Sequence, residues 1–206
     1  MNRRVVLAVL SLLFVAACQV DDPTTEAVPG GGSTVLESGS RSPTKNPSVA
    51  LPFENPFPDR WNSSNDGTSY EPCVAFSDAE LLQFGINPAQ IEDAALVNGQ
   101  GSRGCNWLMR DTFGFGQVVT NSPSLADYRR ATPELKWMPD LSINGRPVGM
   151  FGLNGDSSTC SSYVQSESAG VVTNVSISSA PEARAQFDAC TVVEDFTRAY
   201  IEKIPR

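Results

Sequence analysis

Apolar positions divide the chain into three stretches of different character. Arg3 and Arg4 precede a nearly continuous apolar run, Val5 to Ala16. Residues 19 to about 70 carry no sustained apolar period and are rich in Pro, Gly, Ser, Thr and Asn, as in Pro29-Gly30-Gly31-Gly32-Ser33-Thr34. After about Tyr70, helical and strand periodicities alternate with turn signals. A stretch of the middle kind buries too little apolar surface to offset its ordering entropy. One domain is therefore expected over residues 71–206, on a tether formed by residues 19–70.

Within the domain, Ser77-Asp78-Ala79-Glu80 has the form of a capping box, in which the Ser and the Glu three residues later satisfy each other's orphan amides. It predicts a short helix to Phe84, stopped by Gly85. Cys105 to Met109 and Gly116 to Thr120 read as strands joined by residues 110–115. Ser122-Pro123 predicts the start of a second helix running to about Ala131, since Pro is tolerated at the first helical position. Asn144-Gly145 signals a two-residue type I′ hairpin, pairing Leu141-Ser142-Ile143 with Pro147 to Phe151. Strands follow at Cys160 to Gln165 and at Val171 to Ser178, where Val171, Thr173, Val175 and Ile177 form the more apolar face. A final helix from about Asp188 to Lys203 places Ala189, Val193, Phe196 and Tyr200 on one side. The order of elements predicts an α+β fold: an antiparallel sheet of about five to six strands, packed by N-terminal, middle and C-terminal helices.

The N-terminal run changes the address of that domain. Val5 to Ala16 is too short to span a hydrocarbon core of roughly 30 Å and follows a positive n-region, the pattern of a signal peptide over residues 1–18. It ends Val15-Ala16-Ala17-Cys18, which resembles the bacterial lipobox, whose cysteine is acylated. Cysteine parity agrees, because assigning Cys18 to lipid leaves the even set Cys73, Cys105, Cys160 and Cys190 for an oxidising compartment. Four cysteines allow three connectivities. The favoured one joins Cys73 to Cys105 and Cys160 to Cys190, since each pair flanks a local helix-and-strand unit. Each bridge then closes a loop of about 30 residues, a contribution of about 3–4 kcal/mol on the chain-entropy model. A zinc site is the rival use of these residues, but no two of them have the close spacing of zinc ligands. The expected location is the extracytoplasmic face of the cell membrane, held there by the N-terminal lipid. A flexible tether of about 50 residues gives the domain a root-mean-square reach of roughly 40 Å.

Charge and composition narrow the chemistry. The formal charge is −8, and loss of Arg3 and Arg4 with the leader leaves 13 Lys and Arg against 23 Asp and Glu, or −10. Such a surface repels phosphate backbones, so nucleic acid is not an expected partner. The chain has no histidine, and so lacks the commonest general base and zinc ligand.

Several strings match catalytic patterns without their context. Gly99-Gln100-Gly101-Ser102-Arg103-Gly104 fits G-x-G-x-x-G, but a strand follows where a phosphate-binding helix is required. Ser42-Pro43-Thr44-Lys45 fits S-x-x-K inside the tether, without its companion motifs. The neighbours Glu92-Asp93 and Glu194-Asp195 do not face one another on a helix, and Asn62 to Gly67 lacks the alternating acidic ligands of a calcium loop. Trp107 is expected to pack on the disulfide of Cys105. Trp137 and Met138, in a Pro-flanked stretch, are the candidate lip of a ligand groove, and Phe53, Phe57 and Trp61 are tether aromatics able to dock on the domain or a partner.

From residue 70 onward the chain resembles an actinobacterial lipoprotein family known as domain of unknown function 3558. The resemblance is carried by Pro72-Cys73 ahead of Ser77-Asp78-Ala79-Glu80-Leu81, by Gly104-Cys105-Asn106-Trp107, by Asn144-Gly145-Arg146-Pro147, by Cys160, and by Asp188-Ala189-Cys190 opening a helix that ends at Ile204-Pro205. Where many relatives have Asp-Pro-Cys, this chain has Glu71-Pro72-Cys73 and Asp188-Ala189-Cys190. The resemblance implies an envelope lipoprotein with α+β topology and carries no agreed activity. Together these readings lead to the expectation of a non-catalytic, lipid-anchored module that binds a lipid or an envelope protein on one sheet face, with no cofactor. A histidine-free envelope hydrolase or lipid-modifying enzyme and a structural surface spacer are the alternatives.

Overall fold

The structure is a computed structural model that describes residues 60–94 and 101–206. Cys18, Ser42 to Lys45, Phe53 and Phe57 lie outside the described residues.

The fold is α+β, built on an antiparallel sheet. Its strands are β1 (Ile91–Asp93), β2 (Ser102–Leu108), β3 (Phe113–Thr120), β4 (Lys136–Trp137), β5 (Leu141–Ile143), β6 (Arg146–Gly152), β7 (Thr159–Ser166) and β8 (Ala169–Ile177). They lie in the order β1-β2-β3-β8-β7-β6-β4, with β5 also paired to β6. The strand count exceeds the expected five to six because β1 and β4 are edge strands of three and two residues, too short to show a period. Strand β2 starts at Ser102 and β3 at Phe113, each three residues earlier than the sequence suggests. Glycines at 104, 114 and 116 obscure their alternation.

The helices are α1 (Asp78–Gln83), α2 (Leu125–Ala131), α3 (Pro181–Gln186) and α4 (Ala189–Tyr200). Helix α1 has the full capping box, with Ser77 and Glu80 each bonding the other's backbone amide. Helix α2 corrects the expected start: Ser124, not Ser122, is the N-cap, and Pro123 lies outside the helix. Short helix α3 was not expected. Ala180 offers no side-chain cap, and only Pro181 at the first position marks its start. Helix α4 is capped by Asp188 and ends at Tyr200, after which Ile201–Lys203 tighten into a 3₁₀ turn. At the hairpin between β5 and β6, Asn144 and Gly145 have φ of 50° and 74°, as a type I′ turn requires.

One sheet face carries the core. Cys105 and Trp107 of β2, Phe115 and Val119 of β3, Val171 and Val175 of β8, Cys160 and Val164 of β7, and Val148 and Met150 of β6 are all buried there. Helix α4 lays Ala189, Val193 and Phe196 on this face, where the Phe196 ring meets Phe76, Phe84, Phe115 and Tyr200 at centroid distances of 4.5–5.1 Å. Disulfides Cys73–Cys105 and Cys160–Cys190 staple two of the covering segments to strands β2 and β7. Trp107 shares this core with Cys105, its ring 5.7 Å from that of Phe115.

Residues 60–70, assigned to the tether by composition, lie against the end of the sheet. Asn65, Thr68 and Tyr70 are buried there, and Trp61 is half-buried. Polar side chains, invisible to an apolar-period argument, hold them in place.

Candidate functional site

The second sheet face is divided in two. Helix α2 covers one half, where Phe151, Tyr163 and Val172 form a small apolar cluster with Val118, Leu125, Tyr128, Leu135 and Trp137. Two glycines permit this packing. A Cβ at Gly149 would stand 2.3 Å from Leu125 Cδ1, and one at Gly170 would stand 2.0 Å from the Tyr163 ring. Tyr163 stacks on Tyr128 at 5.0 Å and donates its hydroxyl to the Ser122 carbonyl at 2.6 Å. Burial, reinforced by the charge of Asp127, pushes the Tyr163 phenol above its ordinary range, so it is a neutral donor.

Among the described residues the other half has no covering element and is built from small polar residues. Asn106 folds over Gly116, where a Cβ would lie 2.4 Å from Asn106 Oδ1. Asn174 donates to Ser161 Oγ at 2.8 Å, and both Asn174 and Ser176 are exposed. Leu108 projects beside Gly114, 45% exposed. The result is a shallow surface of amides, hydroxyls and glycine backbone with one apolar side chain on it.

The structure separates the two residues of the expected lip. Trp137 packs on the α2 side, its ring 4.7 Å from that of Phe151 and beneath the Arg129 guanidinium at 4.6 Å. Met138 turns to the core side, where its sulfur lies 3.9 Å from Cys190 Sγ. Consecutive residues of extended chain face opposite ways, so the pair forms no common wall. Glu92 and Asp93 diverge for the same reason: Glu92 is exposed, while Asp93 pairs with Arg60. Glu194 pairs with Arg198 one turn on. Among the described residues no three His, Cys, Asp or Glu side chains converge as a metal site, and no helix is long and apolar enough to cross a membrane.

Sequence reasoning missed the buried cluster at the sheet end. Arg103, whose side chain is fully buried, donates from Nε to the Asn65 carbonyl at 3.0 Å and from Nη2 to that of Thr68 at 2.8 Å. Its Nη1 reaches the Tyr70 carbonyl at 2.6 Å and Glu71 Oε2 at 3.1 Å. The Trp61 ring covers the guanidinium at 3.5 Å, and Trp61 Nε1 donates to the same carboxylate at 3.0 Å. Burial draws the guanidinium down to about 10, opposed by Glu71, so it remains charged at neutral pH. Beside it, Tyr70 donates to Gln117 Oε1 at 2.7 Å, and Gln117 donates to Thr173 Oγ1 at 2.9 Å. The available signal was parity: Arg103 shares a strand face with Cys105 and Trp107. Of the G-x-G-x-x-G string, Ser102, Arg103 and Gly104 are strand residues. A Cβ at Gly104 would meet the Gln117 carbonyl oxygen at 2.0 Å, so this glycine serves strand packing, not a phosphate.

A second buried arginine fastens the C-terminal segment. Arg146 donates to the carbonyls of Ile201, Ile204, Gln165 and Pro205 at 2.6–3.1 Å, beside a shallow depression lined also by Gly145, Pro147 and Arg206. With its charge engaged by backbone, the depression has no convergent catalytic set.

An antiparallel sheet with helices on both faces and two covalent staples defines the class as a disulfide-bonded α+β domain. Residues 13–203 match the family described as "Protein of unknown function (DUF3558)", and the chain belongs to that family. The match begins ahead of Cys18 and takes in the whole domain up to Lys203. No curated protein and no solved structure matches the chain.

Proposed function

We propose that this is a lipid-anchored, extracytoplasmic, non-catalytic module that binds an envelope protein through the open half of its second sheet face. The carrying observation is the surface formed by Asn106, Gly114, Gly116, Asn174 and Ser176 beside the exposed Leu108. Its shallow polar relief suits another protein's backbone and side chains better than a small apolar molecule, which requires an enclosing cavity. The apolar half under α2 is already filled by the protein's own aromatic side chains. Support for the anchor is the succession of positive n-region, apolar run and lipobox ending at Cys18, of which the family match takes in residues 13–18.

Two experiments test the two parts. Replacing Cys18 by Ala should move the chain from the membrane fraction to the soluble fraction with its fold unchanged, and a membrane-bound C18A chain would defeat the anchor. For the surface, a photo-crosslinking residue at position 174 should capture a discrete protein in intact cells, and Ser176→Arg should abolish that adduct. Equal labelling from position 174 and from exposed Glu182 on the far side would refute the binding face.

A further inference from the structure

We propose that residues 60–71 form a strap that detaches as a unit under tension, lengthening the tether while the sheet stays folded. Most of its fastenings are polar. None of residues 61–71 lies in a helix or strand, and among the strap's apolar side chains only Tyr70 is fully buried. Three of its carbonyls and its Glu71 carboxylate are held by the Arg103 fork. Further along the sheet end, Gly67 bonds Asn121 and Ser168, Thr68 meets Ser166 at 2.7 Å, and Ser69 takes its partner from Glu167. These partners belong to the start of β2, the segment after β3 and the β7–β8 turn, so the strap crosses the strands instead of joining their ladder.

Its C-terminal limit is covalent. Cys73, two residues after Glu71, is bonded to Cys105, which lies two residues from Arg103 on the same strand face. Pulling from the N-terminal side therefore loads the strap contacts one after another, and the load then passes to the sheet through a bond that does not yield. Elements with few buried apolar contacts open at lower free energy than the core, and contacts loaded in sequence fail at lower force than contacts loaded together. Extended fully, the roughly 13 residues before the bridge supply about 45 Å of chain, comparable to the reach of the tether itself. That the load comes from an anchored lipid rests on the proposal above; that the strap is separable does not.

The test is optical-tweezers extension of the oxidised full chain, purified in detergent, with handles at its two ends. The expected record shows a reversible step of about 30–45 Å at low force, before and separate from the main unfolding step. Arg103→Lys, which keeps the charge but loses the planar fork, should raise the open population at zero load at least tenfold, whereas Phe196→Ala should weaken only the main step. A single step that releases strap and sheet together, or a small step indifferent to R103K, overturns the proposal. Hydrogen exchange on the unaltered chain supplies an independent reading. Amides of Gly67 and Ser69 should exchange at least a hundredfold faster than those of β8, and equal protection overturns the proposal. Neither readout depends on Cys18, so failure of the anchor and failure of the strap are distinguishable.

Discussion

At the scale of single residues, glycines and buried charges decide what the fold tolerates. Gly104 has φ of 153° and no room for a Cβ, because the obstruction is the backbone carbonyl of Gln117 and not a side chain that can swing away. Gly104→Ala is expected to destabilise the domain by about 3 kcal/mol, within the range of overpacking and backbone effects. Gly155→Ala is the control, with φ of 77° and nothing within 4 Å; it should lose only about 1 kcal/mol through backbone strain. Denaturant titration of both variants measures the difference. Arg103 and Glu71 are a buried pair, so removing one partner leaves a desolvated charge. Glu71→Gln should cost about 3 kcal/mol, read as a lower denaturation midpoint.

At the scale of elements, helix ends and the α4 stripe set the local energetics. Glu80 closes the capping box and also receives Lys203 Nζ at 2.8 Å. The bond from Lys203, followed by that from the Ser77 amide, holds this carboxylate down to about 2. A carboxylate depressed in the folded state stabilises fully above its unfolded value of about 4.3 and loses that contribution as pH falls through its folded value. Melting temperature should therefore drop between about pH 5 and pH 2, and Glu80→Gln should flatten that slope. The pair is partly solvated, so the drop is shallow. Phe196 is the centre of the aromatic cluster beneath α4. Phe196→Ala should cost about 4 kcal/mol, as buried Phe truncations do, again by denaturant midpoint.

At the scale of the whole molecule, two bridges with sequence separations of 32 and 30 hold segments on opposite ends of the chain to one sheet. On the chain-entropy model each is worth about 3–4 kcal/mol. The paired serine variants C73S/C105S and C160S/C190S are expected to lose similar stability, checked by calorimetry against the oxidised parent. Their local effects should differ. Loss of the first pair should leave the strap and its following turn open to protease, and loss of the second should fray the first turn of α4.

Much of this architecture was legible in order along the chain. The Ser77 box, the Asn144-Gly145 turn, the alternation of β8 and the α4 stripe are local patterns whose physics acts within a few residues. The family resemblance is carried by similarly local motifs. Edge strands β1 and β4 were not legible, because two or three residues carry no period, and Trp137 and Met138 looked alike until strand parity sent them to opposite faces. Residues 60–70 show the limit most clearly. Their composition denies them a core of their own, which the sequence states correctly, yet Arg103, Asn121 and Glu167 hold them from positions far along the chain. The sequence alone determined which segments can form helices, strands and turns, because those choices are governed by near neighbours. Tertiary structure alone decided which polar side chains meet, and hence that residues 60–70 lie against the sheet and which half of a sheet face is left to small polar residues, because such pairings join residues whose separation along the chain carries no signal.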